Sequence, residues 1–365
     1  MKQKKLIIFM PSIEGGGVEK NLFLISNFLS NKIKDVGLIT ASKKYKDDFN
    51  KKINLITPNF NFANQLSRRG KYLICLFLLF KQILRSKSLI ILCFQANIYC
   101  IILCKIFNIK IIVRSNSSPS GWSKNYIKNT IFKLVLKKAD TIIVNSYDFK
   151  KQLKLKFNVN ASCIYNPLNI SDVIKKSKIK SKKIYKNSKL LKIMNVGRYV
   201  DQKDQLTMLK ALNLLSKKMN FEAVLVGKGN LKQSLIDYAK KCNIHKKVKF
   251  INFSSNPYTL IKQCDLFILS SKYEGLPNVL LEALTLKKFI ISSNCPTGPR
   301  EILLNGRGGL LFEVGDYVEL EKKILFYTNN QKKCNSMLHT ARNKLHRFDY
   351  DLNLKKYLYI VKKYI

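Results

Sequence analysis

The sequence predicts an α/β fold of two doubly wound, Rossmann-like domains facing across a cleft, and three observations carry that expectation. The chain runs to 365 residues, more than a single core usually serves. Short runs of β-branched and other apolar residues alternate along it with helical patterns, as in a parallel sheet buried on both faces. The series breaks once, in a Lys- and Ser-rich stretch, and then starts again.

Taken in order, "KKLIIFM" reads as a first strand leading into the helix "GGGVEKNLFLISNFLS", and "DVGLITA" and "INLITP" read as the next two strands. "YLICLFLLFKQIL" is a buried helix and "SLIILCFQ" a buried strand followed by the helix "ANIYCIILCKIF". "KIIVRSNSS" precedes the helical "WSKNYIKNTIFKLVLKKA", and "DTIIVNS" precedes "YDFKKQLKLKF". A proline turn at Pro167 ends the first domain, residues 1–170; residues 171–189, "SDVIKKSKIKSKKIYKNSK", read as a basic linker. The second domain, residues 190–340, restarts with "LLKIMNVGRY" and continues through "FEAVLVGKG", "KVKFINF", "CDLFILSS" and "KKFIISS", with helices such as "NLKQSLIDYAKKCN" between them. The tail, 341–365, is aromatic, basic and helical, and is expected to cross back and pack on the first domain.

The net charge is +45, carried unevenly: residues 1–189 hold 37 Lys and Arg against 8 Asp and Glu, residues 190–365 hold 30 against 14. Such a field attracts polyanions, whether nucleic acid, anionic headgroups or diphosphates, and by itself names none of them. Nine cysteines without a CxxC spacing, beside three histidines, argue against a structural zinc site and suit a reducing cytoplasm. The apolar run at the N-terminus is too short for a signal peptide. Lys81, Gln95 and Asn97 interrupt the greasiest stretches before either reaches the ~20 apolar residues of a spanning helix.

Candidate chemistry sits in strand-to-helix turns, beyond the carboxyl ends of the strands. Gly15, Gly16 and Gly17 open the first helix, where backbone N–H groups can approach an anion or where glycine merely permits a tight turn. "NVGRYVDQKDQ" offers Arg198 and Lys203, a forked guanidinium and a point-charge ammonium that together suit a diphosphate. "YEGLPNVLLEAL" places Glu274 in the mouth of a helix whose first position suits Pro277, and Glu282 about one and a half turns inside it. The pair can hold hydroxyls on either side of a phosphate seated on the helix N-terminus. Gly298, Pro299, Arg300 and Glu301 follow the next strand; Gly306, Gly308 and Gly309 form a structural reversal; Asp349 and Asp351, which resemble a DxD, read as helix capping and surface charge.

These residues resemble a known family. "EGLPNVLLEA" is similar to the E-x7-E motif of the retaining glycosyltransferases of family 4, which have the GT-B fold. "GGGVEKN", "IYNPLN", "NVGRYVDQKD", "AVLVGKGN", "DLFILSSKYEGLPNVLLEAL" and "GPREILLNGRGGLLFEVGD" follow in that family's order over nearly the whole chain. The resemblance implies transfer of a hexose or N-acetylhexosamine from a nucleotide-diphosphate sugar, a UDP-sugar, to a glycan acceptor, with retention of configuration and with no cofactor or metal. Arg198 and Lys203 would hold the diphosphate, Glu274 the donor sugar and Glu282 the ribose; the amides near Asn278 and Val279 would support the phosphates, and Gly16 and Gly17 would let the N-terminal loop close over the donor. The catalytic set it implies is Glu274, Arg198 and Lys203. Acceptor choice would rest with the first domain, including Arg114 and Asn116.

The loop "RSNSS" departs from the family in carrying Arg114, Asn116 and Ser117 and no histidine, so the acceptor would lose its proton to the departing phosphate. Asn252 stands where glycine is usual before the base-binding loop, and Tyr199 and Val200 replace smaller or polar residues. "GPREIL" resembles bacterial enzymes of O-antigen, capsule or lipid-linked glycan synthesis, which implies a polyprenyl-diphosphate-linked acceptor and a cytoplasmic protein at the inner face of the membrane, docked on anionic lipid. A nucleotide-sugar epimerase of the same fold and a basic nucleic-acid-binding protein are the alternatives. The first calls for a histidine that these loops lack; the second leaves the strand-end loops without a task.

Overall fold

A computed structural model describes all residues except 1–3, 61, 62, 64, 117, 120, 121, 123 and 124, so Ser117 lies outside the described residues. The chain divides into two compact units, one of residues 1–167 with 350–365 and the other of residues 168–349.

In the first unit, β1 (Lys5–Phe9), α1 (Gly17–Ser30), β2 (Val36–Ile39), β3 (Ile53–Ile56), α2 (Arg68–Arg85), β4 (Leu89–Cys93), α3 (Asn97–Ile106), β5 (Lys110–Arg114), α4 (Tyr126–Leu136), β6 (Thr141–Val144), α5 (Tyr147–Phe157) and β7 (Ser162–Cys163) follow one another. The described strands form one parallel sheet in the order β3-β2-β1-β4-β5-β6-β7. Successive side chains of a strand point to opposite faces, and here both faces are dry. Leu6 and Ile8 of β1 join a core with Leu22, Ile25 and Leu29 of α1. Ile7 and Phe9 join the opposite core with Cys75, Leu79 and Ile83 of α2 and Cys100, Ile101 and Cys104 of α3. Burial on both faces is why β1 reads as an unbroken apolar run and not an alternating one.

The second unit opens with α6 (Ile170–Ser177), continues through β8 (Leu191–Val196), α7 (Gln205–Leu215), β9 (Phe221–Val226), α8 (Lys232–Lys241), β10 (Val248–Ile251), α9 (Tyr258–Ile261), β11 (Leu266–Leu269), α10 (Asn278–Thr285), β12 (Phe289–Ser293), α11 (Pro299–Ile302) and β13 (Leu310–Phe312), and ends with α12 (Tyr317–Asn329) and α13 (Gln331–Asn343). Its described strands are again parallel, in the order β10-β9-β8-β11-β12-β13. The segment expected to be a linker, 171–189, belongs to this unit. Asn169 caps α6 by accepting from the Asp172 N–H, and Val173 and Ser177 are buried in a helix that packs on α9 and α10. Beyond α6, Gln263 accepts from the Ile184 N–H, and Glu222 accepts from the N–H groups of Lys186 and Asn187. Lysines on the outer face hid this attachment, because a short helix with so few buried positions leaves almost no periodic signal.

The chain then returns to the first unit as α14 (Tyr350–Lys362), with Asp349 just before it and Asp351 in its first turn, where the helix dipole favours acidic groups. Leu354, Tyr357, Ile360 and Val361 enter the core beside α1. Tyr357 meets Arg114 there: the guanidinium, 1% exposed, donates from Nε to the Tyr357 hydroxyl at 2.8 Å and from Nη2 to Asn166 Oδ1 at 2.7 Å, and lies over the Phe94 ring. Burial raises the Tyr357 pKa, with the positive charge of Arg114 pulling the other way. Removing one acceptor from a buried charged donor typically costs about 1–3 kcal/mol. Tyr357→Phe is therefore expected to lower the stability of this unit by that amount in urea unfolding, and an unchanged midpoint would mean that the clamp contributes nothing.

Candidate functional site

Parallel register brings the carboxyl ends of the strands of the second unit to one edge of its sheet: Val196 pairs with Val226, Val226 with Ile251, and Leu269 with Ser292. The loops beyond that edge carry the residues singled out in the sequence. After β8, the chain passes through Gly197 and exposed Arg198 to Tyr199, whose buried hydroxyl donates to the Leu225 carbonyl at 2.8 Å. Gln205 Nε2 donates to the Arg198 carbonyl at 2.9 Å. The neighbouring "VGKG" loop makes room for this turn. A Cβ on Gly229, at φ +156°, would stand 2.2 Å from the Tyr199 carbonyl oxygen, so only glycine fits.

After β11, Ser270 and Ser271 lead to Glu274, which is buried. Lys203 Nζ lies 2.5 Å from Glu274 Oε1, with side-chain exposures of 16% and 8%, and the Ser271 hydroxyl donates to the same oxygen at 2.6 Å. The two loops are stitched further along their backbones. The Lys272 N–H donates to the Gln202 carbonyl at 2.8 Å, Gln202 Nε2 donates to the Tyr273 carbonyl at 2.9 Å, and Ser270 donates to the Lys203 carbonyl at 3.1 Å. Lys272 also pairs with Asp201, and that hydrogen bond raises its pKa. Asp204, at the start of α7, has its pKa raised by burial, against a hydrogen bond from Thr207.

Pro277 stands one residue earlier than the sequence suggests, at the N-cap, and α10 begins at Asn278. Asn278 and Val279 therefore form the first turn, at the positive end of the helix. Glu282 is buried on α10 and accepts from the Tyr258 hydroxyl at 3.3 Å. From the next loop, Thr297 donates to the Glu274 carbonyl at 2.5 Å. Gly298 adopts φ +90°, and a Cβ there would come within 2.4 Å of the Gly275 carbonyl oxygen. Cys295, beside this loop, is pushed up to about 12 by burial, with the Glu274 charge adding to the effect.

This geometry places Arg198, Lys203, Glu274, Asn278, Val279 and Glu282 on strand-end loops and the helix they lead into. Residues 176–344 match the family model described as glycosyl transferases group 1. The N-acetylgalactosamine-N,N'-diacetylbacillosaminyl-diphospho-undecaprenol 4-alpha-N-acetylgalactosaminyltransferase of Campylobacter jejuni is 25% identical over 363 residues, 95% of this chain and 96% of that protein. The crystal structure of Anabaena HepE in complex with UDP-glucose superposes with a TM-score of 0.77 at 18% identity, covering 99% of this chain and 100% of that one. The chain has the GT-B fold, and the family model covers just under half of it. A further relative, an uncharacterised glycosyltransferase of Methanocaldococcus jannaschii, is 33% identical over 219 residues, so that the chain spans 53% of its length.

The other expected site residues lie in the first unit. Gly16 is the N-cap of α1, and its N–H donates to Glu19 Oε2 at 2.9 Å. A Cβ on Gly16 would lie 2.9 Å from that oxygen, so glycine here admits a capping carboxylate. Gly17 is the first residue of α1. Arg114 is corrected: an acceptor contact needs an accessible guanidinium, and this one is buried among Tyr357, Asn166 and Phe94. Asn116 is part-buried and donates to the Phe94 carbonyl at 2.8 Å, which holds the loop. Among the described residues, no three His, Cys, Asp or Glu side chains are grouped to hold a metal ion.

Sequence reasoning passed over Ser271, Thr297 and Tyr258, which carry the two glutamates. Their only signal is a hydroxyl one or two turns from a strand end, too common to single out. The Lys203–Glu274 pair is nearly dry, and removing one partner from such a pair typically destabilises by about 3 kcal/mol. Lys203→Met is expected to lower the thermal midpoint accordingly, whereas Lys203→Met with Glu274→Gln recovers most of that loss without recovering activity. A single variant as stable as the parent would show that the pair is not coupled.

Proposed function

We propose that this chain is a glycosyltransferase that moves a hexose or N-acetylhexosamine from a UDP-sugar to a polyprenyl-diphosphate-linked glycan, with retention and without a cofactor or divalent ion, in bacterial surface polysaccharide synthesis. The observation that carries the reading is the Lys203–Glu274–Ser271 cluster at the mouth of α10. Without a donor, the ammonium and carboxylate neutralise each other. A diphosphate arriving at the α10 N-terminus gives Lys203 and Arg198 an anion to hold and frees Glu274 for hydroxyls of the sugar. Glu282, which accepts from the Tyr258 hydroxyl, would take the ribose hydroxyls; its burial on the helix that follows Glu274 supports that role. Two names support the substrate classes: the Campylobacter relative is named for a diphospho-undecaprenol acceptor, and the Anabaena structure holds UDP-glucose.

The bond from the anomeric carbon to the diphosphate oxygen breaks with its electron pair going to the leaving UDP, and the acceptor hydroxyl oxygen bonds to the same carbon from the same face. Its proton passes to a phosphate oxygen of the departing group. Arg198 and Lys203 stabilise the charge that grows there, and fixed groups of this kind contribute about 10²–10³ in rate.

Steady-state kinetics with a panel of UDP-sugars and a short-chain polyprenyl-diphosphate glycan test the assignment. Glu274→Gln is expected to lower kcat by about 10²–10³, the size of effect seen when a fixed polar group is lost from a transition state. Glu282→Gln is expected chiefly to raise the donor KM about tenfold, as the loss of a charge-assisted hydrogen bond would do. Unimpaired transfer by both variants would refute the assignment.

A further inference from the structure

We infer that Tyr258 is a positioning residue for the nucleotide: its hydroxyl directs the Glu282 carboxylate and so raises the affinity for the ribose. The inference rests on the ribose role proposed above for Glu282 and names a residue on which that role depends. Glu282 is 6% exposed, and Leu280, Leu281, Ala283 and Leu284 beside it in the chain are buried as well. A carboxylate in such surroundings needs fixed donors, because burying it without them is costly. Tyr258, itself 5% exposed, reaches it from a different helix and donates to Oε1 at 3.3 Å. The ring of Tyr258 fills space that a phenylalanine would fill equally. The hydroxyl is what packing leaves unexplained, since a buried phenol must find an acceptor.

Other buried tyrosines of the second unit provide the contrast. Tyr185 donates to the Ile193 carbonyl, Tyr199 to the Leu225 carbonyl and Tyr327 to the Asp265 carbonyl, so each braces the main chain. Tyr258 instead donates to an ionisable side chain of the candidate site. Its own direction is fixed from outside α9, which is four residues long and too short to hold itself. α6 packs against both α9 and α10. Asn256, just before α9, donates from Nδ2 to the Lys176 carbonyl of α6 at 3.0 Å. Just after α9, Gln263 accepts from the Ile184 N–H at 3.0 Å and donates from Nε2 to the Lys182 carbonyl at 3.2 Å. Both ends of α9 are thus tied to the segment 171–189, which gives that segment a task beyond joining the units. A carboxylate directed in this way accepts two neighbouring hydroxyls without first being ordered, and preorganisation of that kind raises affinity.

Calorimetric titration of UDP and of its 2′,3′-dideoxy analogue into the full chain tests the inference. The analogue keeps the base and the diphosphate and lacks both ribose hydroxyls. Tyr258→Phe is expected to weaken UDP binding about fivefold, as the loss of one hydrogen bond to a charged group would do, and to leave binding of the analogue unchanged. In a Glu282→Gln background the same substitution is expected to add nothing, because the hydroxyl acts only through the carboxylate. Tyr327→Phe, which removes a buried hydroxyl that braces the main chain, is expected to bind both ligands like the parent. Parental UDP affinity in Tyr258→Phe, with weaker binding in Glu282→Gln, overturns the inference and leaves the ribose role standing. Equal weakening of UDP and the analogue by Tyr258→Phe would show that the hydroxyl only supports the fold, and overturns it too. A parent that binds no UDP, or a Glu282→Gln variant that binds it like the parent, removes the ribose role and the inference with it.

Discussion

The ion pair of Lys203 with Glu274 is the interaction on which the candidate site depends. It joins the loop after β8 to the loop after β11, and both partners sit where water is scarce. A carboxylate held there alone would be costly; paired, and accepting from Ser271, it is neutralised and fixed in direction. The surrounding hydrogen bonds reinforce the same join, from the Lys272 N–H to the Gln202 carbonyl and from Thr297 to the Glu274 carbonyl. The two loops are thus tied together by charge as well as by their backbones.

That join is possible because the sheet is parallel and in register. Equal strand ends bring the loops after β8, β9, β11 and β12 to one edge, and glycine lets neighbouring loops approach where a methyl group would collide. Gly229 against Tyr199 and Gly298 against Gly275 are such points. The helix start at Asn278 follows the loop of Glu274, the carboxylate that Lys203 pairs with, so the positive end of α10 and the lysine belong to one group of loops.

The two-sheet architecture was legible because the central strands, such as β1, β4, β11 and β12, are buried on both faces and so read as continuous apolar runs. The position of Glu274, Lys203 and Arg198 on strand-end loops was legible because each follows a clear apolar strand and precedes a helical pattern, the kind of turn where such sheets bind ligands. Other residues failed for identifiable reasons. Arg114 looks like a loop cation at the end of a strand, but its partners Tyr357 and Asn166 are 243 and 52 residues away, and no local pattern announces them. The stretch 171–189 looks like solvent-exposed linker because its attachment rests on Val173, on one cap and on the side chains of Glu222 and Gln263. Ser271 and Thr297 are ordinary hydroxyl residues until the fold sets them beside Glu274.

Calorimetric titration of UDP into the parent, into Lys203→Met and into a control lacking a lysine remote from the loops, Lys287→Met, tests most directly whether Lys203 serves the diphosphate. Binding about tenfold or more weaker in Lys203→Met alone is the predicted result, the loss expected for a charge-assisted contact to phosphate. UDP bound by Lys203→Met as tightly as by the parent would contradict the account.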